Sequence, residues 1–176
     1  MVSPDIHALQ HPARLPSWPA TFAIVALALA YLATKDWRDR HLVLINASAS
    51  LPNWAFLVER GDQPQRGGYA VFAAARTPLI VAHFGKNPPP FTKIVYGVPG
   101  DMVTRADDWV SVNGTRIAHL KPFSKRGERL APGPVGRVPQ GCYYLGSPHP
   151  DGFDSRYADI GWVCARQIIG NASAVL

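Results

Sequence analysis

Residues 93–101 read Lys-Ile-Val-Tyr-Gly-Val-Pro-Gly-Asp, an apolar strand that starts with a lysine and ends in a tight turn. Proline, glycine and aspartate favour such turns, so we expect a structural role for Asp101. An ammonium at Lys93 is ordinary if it points to solvent or has a charged partner. If Lys93 is instead buried, the loss of water lowers its pKa from about 10.4 and makes it a competent general base.

Short apolar runs of the same kind follow residue 40, and Gly, Pro and Asp separate them. They cover residues 42–45, 69–72, 92–98, 109–112, 142–145 and 161–169. Fifteen glycines and seventeen prolines suit short strands joined by many reversals. The sequence therefore predicts a mostly β, mostly antiparallel domain. Two loops, 61–68 and 121–136, are expected to be mobile.

An uncharged stretch precedes these strands, from Trp18 to Thr34. At about 1.5 Å per residue it barely spans a hydrocarbon core of roughly 30 Å. The predicted organisation is therefore an N-terminal cytoplasmic segment at 1–17, a transmembrane anchor at 18–34 and one folded domain at 35–176. The alternative is a cleaved signal peptide, because Ala28-Leu29-Ala30 resembles a cleavage site.

The charge balance bears on partners and cofactors. The net charge is +6, and 47% of the residues are hydrophobic, as in folded proteins. The basic residues are scattered, with one loose cluster at Lys121, Lys125, Arg126 and Arg129. Such a cluster is more often a solvated loop or a contact with anionic lipid, so no nucleic-acid partner is expected. The six histidines lack metal-type spacing, and no cofactor or metal is expected.

Two further segments place chemical groups beside turn-forming residues. Residues 46–52 read Asn-Ala-Ser-Ala-Ser-Leu-Pro, and residues 153–157 read Phe-Asp-Ser-Arg-Tyr. Either segment alone is typical of an ordinary surface turn. Hydrolysis of a peptide bond, however, needs an activated hydroxyl, and an unprotonated lysine can activate it. Together with Lys93, these segments indicate a Ser-Lys peptidase.

The order and composition of the three segments resemble the bacterial type I signal peptidases, most closely the TraF-type branch that matures pilins in conjugative transfer. The resemblance covers roughly residues 20–172. It implies a signal-peptidase-like antiparallel β fold with one N-terminal transmembrane helix. Gly146-Ser147-Pro148-His149 stands where leader peptidases have Gly-Asp-Asn-Arg, which favours the TraF-type branch, and Arg66-Gly67-Gly68-Tyr69 replaces the usual Gly-Asp of a neighbouring strand.

The same resemblance assigns roles to individual residues. It implies that Ser50 is the nucleophile and Lys93 the general base. Ser48 would lie on the same side of an extended segment as Ser50 and help its backbone amide to stabilise the oxyanion. Asp154 would order the site around Lys93, and Ser155 would hydrogen-bond the lysine amine.

The implied function is a membrane-anchored serine endopeptidase that cleaves an exported preprotein or pilin after a small residue. The resemblance places its catalytic domain on the periplasmic side of the bacterial inner membrane. The positive-inside rule opposes this orientation, because Lys35, Arg38 and Arg40 outnumber Arg14. We follow the resemblance. The alternatives are a housekeeping signal (leader) peptidase and a non-catalytic, membrane-tethered component of a transfer or secretion apparatus.

The two cysteines, Cys142 and Cys164, lie in the two C-terminal predicted strands. In an oxidising compartment they form a disulfide if those strands are neighbours. Two buried free thiols are the alternative. The sequence does not indicate an oligomeric state.

Overall fold

The computed structural model describes residues 18–175, which form two α-helices, one 3₁₀ turn and eleven strands. The helices are α1 (Trp18–Arg40) and α2 (Pro78–Phe84). The strands are β1 (His41–Ile45), β2 (Ala55–Arg60), β3 (Tyr69–Phe72), β4 (Phe91–Gly97), β5 (Met102–Ala106), β6 (Trp109–Val112), β7 (Thr115–His119), β8 (Gly136–Arg137), β9 (Cys142–Gly146), β10 (Val163–Cys164) and β11 (Ile168–Ala174). The chain divides into two compact units between Arg38 and Asp39.

Helix α1 is apolar and long enough to cross a membrane. Its 23 residues extend about 35 Å, against a hydrocarbon core of about 30 Å. The predicted anchor at 18–34 lies wholly inside the helix, which continues through the charged residues beyond it to Arg40. All of its side chains are exposed, as the side chains of a lipid-facing helix would be. The segment predicted at 1–17 lies outside the described residues.

A seven-stranded sheet forms the larger part of the second unit. Its strand order is β1-β2-β11-β3-β4-β9-β10, and every pairing is antiparallel. Strand β4 lies well inside this sheet, and its side chains alternate between buried and half-buried positions. Phe91, Lys93 and Val95 belong to the buried set. The alternation of the strand therefore directs the lysine into the interior.

A four-stranded antiparallel sheet, in the order β7-β6-β5-β8, packs beside the larger one. Valines from this sheet share a core with Tyr144 and Tyr157 from the larger part of the domain. Strand β4 needs a glycine where it ends, because a Cβ atom at Gly97 would lie 2.9 Å from the Cβ of Tyr144 and 3.3 Å from a methyl of Val138. The mostly antiparallel β fold and the N-terminal apolar helix are as predicted from the sequence.

The predicted strand at 161–169 is wrong. The structure has a turn, the two-residue strand β10, a 3₁₀ turn at Ala165–Gln167 and then β11, which runs on to Ala174. The reason is local, because the side-chain oxygen of Gln167 accepts a hydrogen bond from the Cys164 amide at 3.1 Å. That bond closes a tight turn and prevents one continuous ladder.

The sequence analysis does not predict helix α2, which lies between two of the predicted strands. Its start carries two clear signals: Pro78 occupies the first turn, and the hydroxyl of Thr77 accepts a hydrogen bond from the Ile80 amide at 3.3 Å. The two predicted loops have specific contacts. Arg66 pairs with Asp101 across the first, and the second contains a bridge between Phe123 and Arg129.

Candidate active site

Ser50 lies in the turn that joins β1 to β2, and a single amide side chain organises that turn. The Nδ2 atom of Asn46 donates to the carbonyl oxygens of Leu51 at 3.2 Å and Asn53 at 2.8 Å. Its Oδ1 atom accepts from the amide of Ser48 at 3.1 Å and from the Ser48 hydroxyl at 3.0 Å. Both donors and both acceptor positions of the amide are therefore in use. Leu51, which is buried, anchors the turn in the core.

Lys93 reaches this turn from β4. Its Nζ atom lies 2.9 Å from the Oγ atom of Ser50, and its side chain is only 6% exposed. Burial lowers the pKa of Lys93 because the ammonium loses its water, and the charge of Arg156 lowers it further. The carboxylate of Asp154 acts in the opposite direction and raises it. Desolvation is the largest of these effects, so the net result is a lysine pKa below its usual value of 10.5.

Ser48 extends the chain of hydrogen bonds. Its Oγ atom lies 2.9 Å from the Oγ of Ser50, while its own hydroxyl also binds Asn46. Lys93, Ser50, Ser48 and Asn46 thus form one continuous row of polar contacts. The structure brings Ser48 to Ser50, but residues 48–50 form a turn, whereas the sequence argument expected an extended segment.

Asp154 and Arg156 form a fully buried ion pair near this row. Each is 1% exposed, and the Nε atom of Arg156 lies 2.8 Å from Oδ1 of Asp154. The second carboxylate oxygen accepts from Arg156 Nη2 at 2.9 Å and from the amide and hydroxyl of Ser147 at 3.0 and 3.1 Å. Arg156 also donates to the carbonyl oxygens of His119 and Ser147. With these bonds, both charges are compensated without water.

Ser155 is placed differently from the expectation. Its Oγ atom accepts a hydrogen bond from the Leu145 amide at 3.0 Å, and the Ser155 amide donates to the Leu145 carbonyl at 2.9 Å. Its side chain therefore holds the 153–157 segment against β9 instead of bonding to Lys93. Asp154 and Arg156, on either side of Ser155, pair with each other, while Ser155 makes both of its contacts with the Leu145 backbone.

Ser147 and Gly152 form a tight contact beside Asp154. A Cβ atom at Gly152 would lie 2.0 Å from the Ser147 hydroxyl oxygen and 2.9 Å from Oδ2 of Asp154. Because Gly152 has no side chain, the Ser147 hydroxyl has space to hydrogen-bond to Asp154. In the sequence, Ser147 only marks a departure from the leader-peptidase pattern. Its contact with Asp154 has no signal in the sequence.

Asp101, expected to be structural, closes the turn after β4. Its carboxylate accepts hydrogen bonds from Arg66 at 2.7 Å, Asn113 at 2.8 Å and the Val98 amide at 2.7 Å. Arg66, above all, lowers the pKa of Asp101 to about 2. The aspartate thus remains charged and ties three segments together at the end of the strand that carries Lys93.

Two cavities border Ser50, and both are lined by Ser48 and Ser50. The first, which we call the aromatic pocket, has a volume of about 290 Å³. Its apolar lining includes Leu79, Phe84, Phe123, Leu130, Phe153 and Tyr157. The second, which we call the β1 groove, has a volume of about 400 Å³. Its walls include Leu44, Ile45, Pro89, Pro90, Phe91 and Thr92.

Cys142 and Cys164 form a disulfide. The two residues face each other in the antiparallel pair of β9 and β10, so the strands are neighbours, as the sequence argument required. The bond closes a loop of 22 residues that contains the 153–157 segment. Of the two alternatives left open by the sequence, the structure has the disulfide.

Comparison with known proteins identifies the family. The signal peptidase, peptidase S26 family matches residues 15–176, and the chain belongs to this family. A signal peptidase I of Bacillus caldolyticus is 31% identical over 114 residues, which are 58% of this chain and 61% of the relative. The chain therefore spans about 61% of the length of the curated relative that it matches.

A crystal structure of a signal peptidase I from Enterococcus faecalis V583 is also similar. It has 24% sequence identity and a TM-score of 0.40, and the match covers 64% of this chain and 98% of that chain. This likeness is too distant to carry an argument about the site. The family assignment rests on the sequence, and the arrangement of Ser50 and Lys93 comes from the structure of this chain.

Proposed function

We propose that this protein is a membrane-anchored serine endopeptidase that cleaves exported preproteins after a small residue. The observation that carries the proposal is the 2.9 Å contact between the Lys93 amine and the Ser50 hydroxyl, made by a buried lysine whose pKa is lowered. A hydroxyl needs a nearby base to become a nucleophile, and a desolvated lysine is such a base. Membership of the signal peptidase family supports the same activity.

The proposed reaction starts with the neutral amine of Lys93. It takes the proton of Ser50 while Oγ attacks the carbonyl carbon of the scissile bond. The resulting ammonium then gives its proton to the departing amine. The neutral Lys93 next takes a proton from water as the water oxygen attacks the acyl carbon, and it returns that proton to Oγ of Ser50 as the ester bond breaks. The Ser50 amide and the Ser48 hydroxyl are our candidates for stabilising the oxyanion. The single hydroxyl proton of Ser48 binds Asn46 in this structure, so it would turn from Asn46 to the oxyanion during the reaction.

We place the catalytic domain outside the cytoplasm, attached to the membrane by α1. The charge bias after the helix opposes this orientation, but the disulfide between Cys142 and Cys164 supports it. Disulfides persist in oxidising compartments and are rare in the cytosol. A reporter fused after Leu176 would be active only outside the cytoplasm if this placement is right.

Preproteins are the first substrate class because the relatives are signal peptidases of type I. A conjugative pilin is the narrower candidate, and it rests on the resemblance of the 146–149 and 153–157 segments to the TraF-type branch. A non-catalytic role is disfavoured by the contact between Ser50 and Lys93, which a purely structural component would not need.

The test uses the full chain in lipid vesicles with a preprotein and a pilin precursor, each carrying alanine on the acyl side of the cut. We expect cleavage after alanine, identified from the new N-terminus of the product. A matched substrate with phenylalanine at that position should resist cleavage, because a bulky side chain overfills a close-packed cleft. Equal cutting after alanine and phenylalanine would refute the small-residue specificity, and no cleavage of either precursor would refute the proposed activity.

A further inference from the structure

The aromatic pocket is the part of the molecule that the proposed chemistry leaves unused. Lys93 lines the β1 groove but does not line the aromatic pocket, whereas Ser50 lines both. Phe84 and Phe153 also line both cavities, so they stand between them. A substrate whose scissile carbonyl sits at Ser50 therefore has one cavity for each of its two halves.

The walls of the pocket come from separate parts of the chain. Leu79 and Phe84 belong to α2. Leu130 lies at the end of the 121–130 segment. Phe153 and Tyr157 come just before and just after the buried ion pair in the chain. The rings of Phe153 and Tyr157 are stacked with centroids 5.8 Å apart, and Phe84 lies 6.5 Å from Phe153. These contacts give a continuous apolar and aromatic wall that starts beside the nucleophile.

Polar contacts link the wall segments. The Nε2 atom of His83 on α2 lies 3.0 Å from Oε1 of Glu128. Asp151 binds Lys121 and also Lys125, whose Nζ lies 3.0 Å from its second oxygen. These two lysines, Lys121 above all, lower the pKa of Asp151 to about 2, so its carboxylate remains charged. Apart from Glu128, these polar side chains line the pocket together with the apolar ones, and each has a polar partner. The apolar part of the lining is left to contact an apolar group.

We infer that the aromatic pocket binds a large apolar side chain, such as leucine or phenylalanine, from one of the first two substrate residues after the scissile bond. This inference rests on the proposed peptidase function and adds a specificity on the leaving side of the cut. The pocket volume of about 290 Å³ is at the lower end of the range for ligand sites, roughly 300 to 1,000 Å³, and suits one side chain.

The assignment to the leaving side rests on the β1 groove. Strand β1 is the outer strand of the seven-stranded sheet, so its free edge can pair with an extended segment. Ile45 and Thr92 line that groove together with Lys93, and its volume of about 400 Å³ exceeds that of the aromatic pocket. The pocket on the other side of Ser50 then receives the substrate residues on the leaving side of the cut.

The experiment compares peptides that share an acyl side ending in alanine and differ in the two residues after the cut. The enzyme is the full chain in lipid vesicles. We expect kcat/KM to be about 10-fold or more higher with leucine or phenylalanine than with glycine at the preferred position, because burying such a side chain is favourable. Leu79→Trp, which fills the pocket from α2, should reduce this ratio toward one. Val135→Trp, at an exposed position that lines neither cavity, should leave the ratio unchanged.

Binding provides a readout that does not need turnover. Leaving-side peptides that begin with the apolar residue should bind the Ser50→Ala variant more tightly than glycine peptides do, and Leu79→Trp in that background should remove the difference. Cleavage of all peptides at one rate, or equal binding of both peptide series, would overturn the inference while leaving the peptidase function intact. Absence of cleavage with selective binding retained would instead refute the peptidase function and keep the pocket.

Discussion

The Nζ atom of Lys93 lies 2.9 Å from the Oγ atom of Ser50, although 43 positions separate the two residues. Ser50 follows β1 at the edge of the seven-stranded sheet, and Lys93 lies on β4, with three strands between them. At about 4.8 Å per strand, four spacings would span about 19 Å on a flat sheet. The contact therefore depends on the 46–54 turn, which carries Ser50 away from the edge strand to the lysine, and it exists only in the folded domain.

The pH dependence of cleavage tests the state of Lys93. A base must be unprotonated, and burial lowers the pKa of this lysine below its usual 10.5. We expect kcat/KM to rise with pH through an apparent pKa below 10.5 and to level off above that apparent pKa. Lys93→Arg should be inactive throughout, since a guanidinium keeps its proton. A flat profile between pH 6 and 9 would argue against Lys93 as the base.

The burial that lowers the pKa of Lys93 should also lower the free energy of unfolding. The folded state disfavours the ammonium of Lys93, so the residue destabilises the protein at pH values below its folded pKa, and this cost disappears as pH rises past the unfolded value of about 10.5. Lys93→Met should therefore raise the free energy of unfolding at pH 6 by about 1 kcal/mol or more. Denaturant titrations should show the gain shrinking toward pH 10. A gain that stays constant with pH would contradict this account.

Asn46 should matter for turnover more than for substrate affinity. Its side chain makes four hydrogen bonds across the nucleophile turn, and Asn46→Ala removes all of them. We expect kcat to fall by about 10- to 100-fold with a small change in KM, because misplacing a reacting group is costly.

Asn46→Asp is the matched control for this variant. It keeps the oxygen that binds Ser48 but loses the two donors to Leu51 and Asn53, so its kcat should lie between those of the wild type and Asn46→Ala. Wild-type kcat in Asn46→Ala would show that the turn positions Ser50 without this amide.

The buried pair of Asp154 and Arg156 should respond asymmetrically to substitution. Arg156→Leu leaves a carboxylate buried without its cation, which costs about 3 to 5 kcal/mol of folding free energy. Asp154→Asn added to Arg156→Leu should recover part of that loss. Equal unfolding midpoints for the single and double variants would mean that the isolated carboxylate is not the source of the instability.

The chemical motifs were readable from the sequence because each has its own local signal. An apolar strand that begins with Lys93 and ends in a Pro-Gly-Asp turn predicts both β4 and its turn, and both are present. The apolar stretch from Trp18 likewise predicts a helix long enough for a membrane. These features depend on neighbours in the chain, where residue type alone is informative.

The features that the sequence missed depend on contacts between distant segments. The bond from Ser155 to the Leu145 backbone, and the fit of Ser147 above Gly152, depend on how the 146–157 segment folds back on β9. Asn46 offered a partial signal, because asparagine often bonds to the backbone two residues on. The aromatic pocket had none, since α2, the 121–130 segment and the 153–157 segment meet only in the folded domain.

The proposed catalytic pair is tested most directly by single-turnover cleavage of a preprotein that carries alanine at the cut. The enzymes are Ser50→Ala, Lys93→Ala and the double variant, each reconstituted as the full chain. Because the two groups act as one unit, each single change should reduce the rate by at least about 10⁴-fold, and the double variant should be no slower than either. Unchanged thermal unfolding of Ser50→Ala would show that the loss is chemical. Cleavage retained by Ser50→Ala, or losses that multiply in the double variant, would contradict a Ser50–Lys93 mechanism.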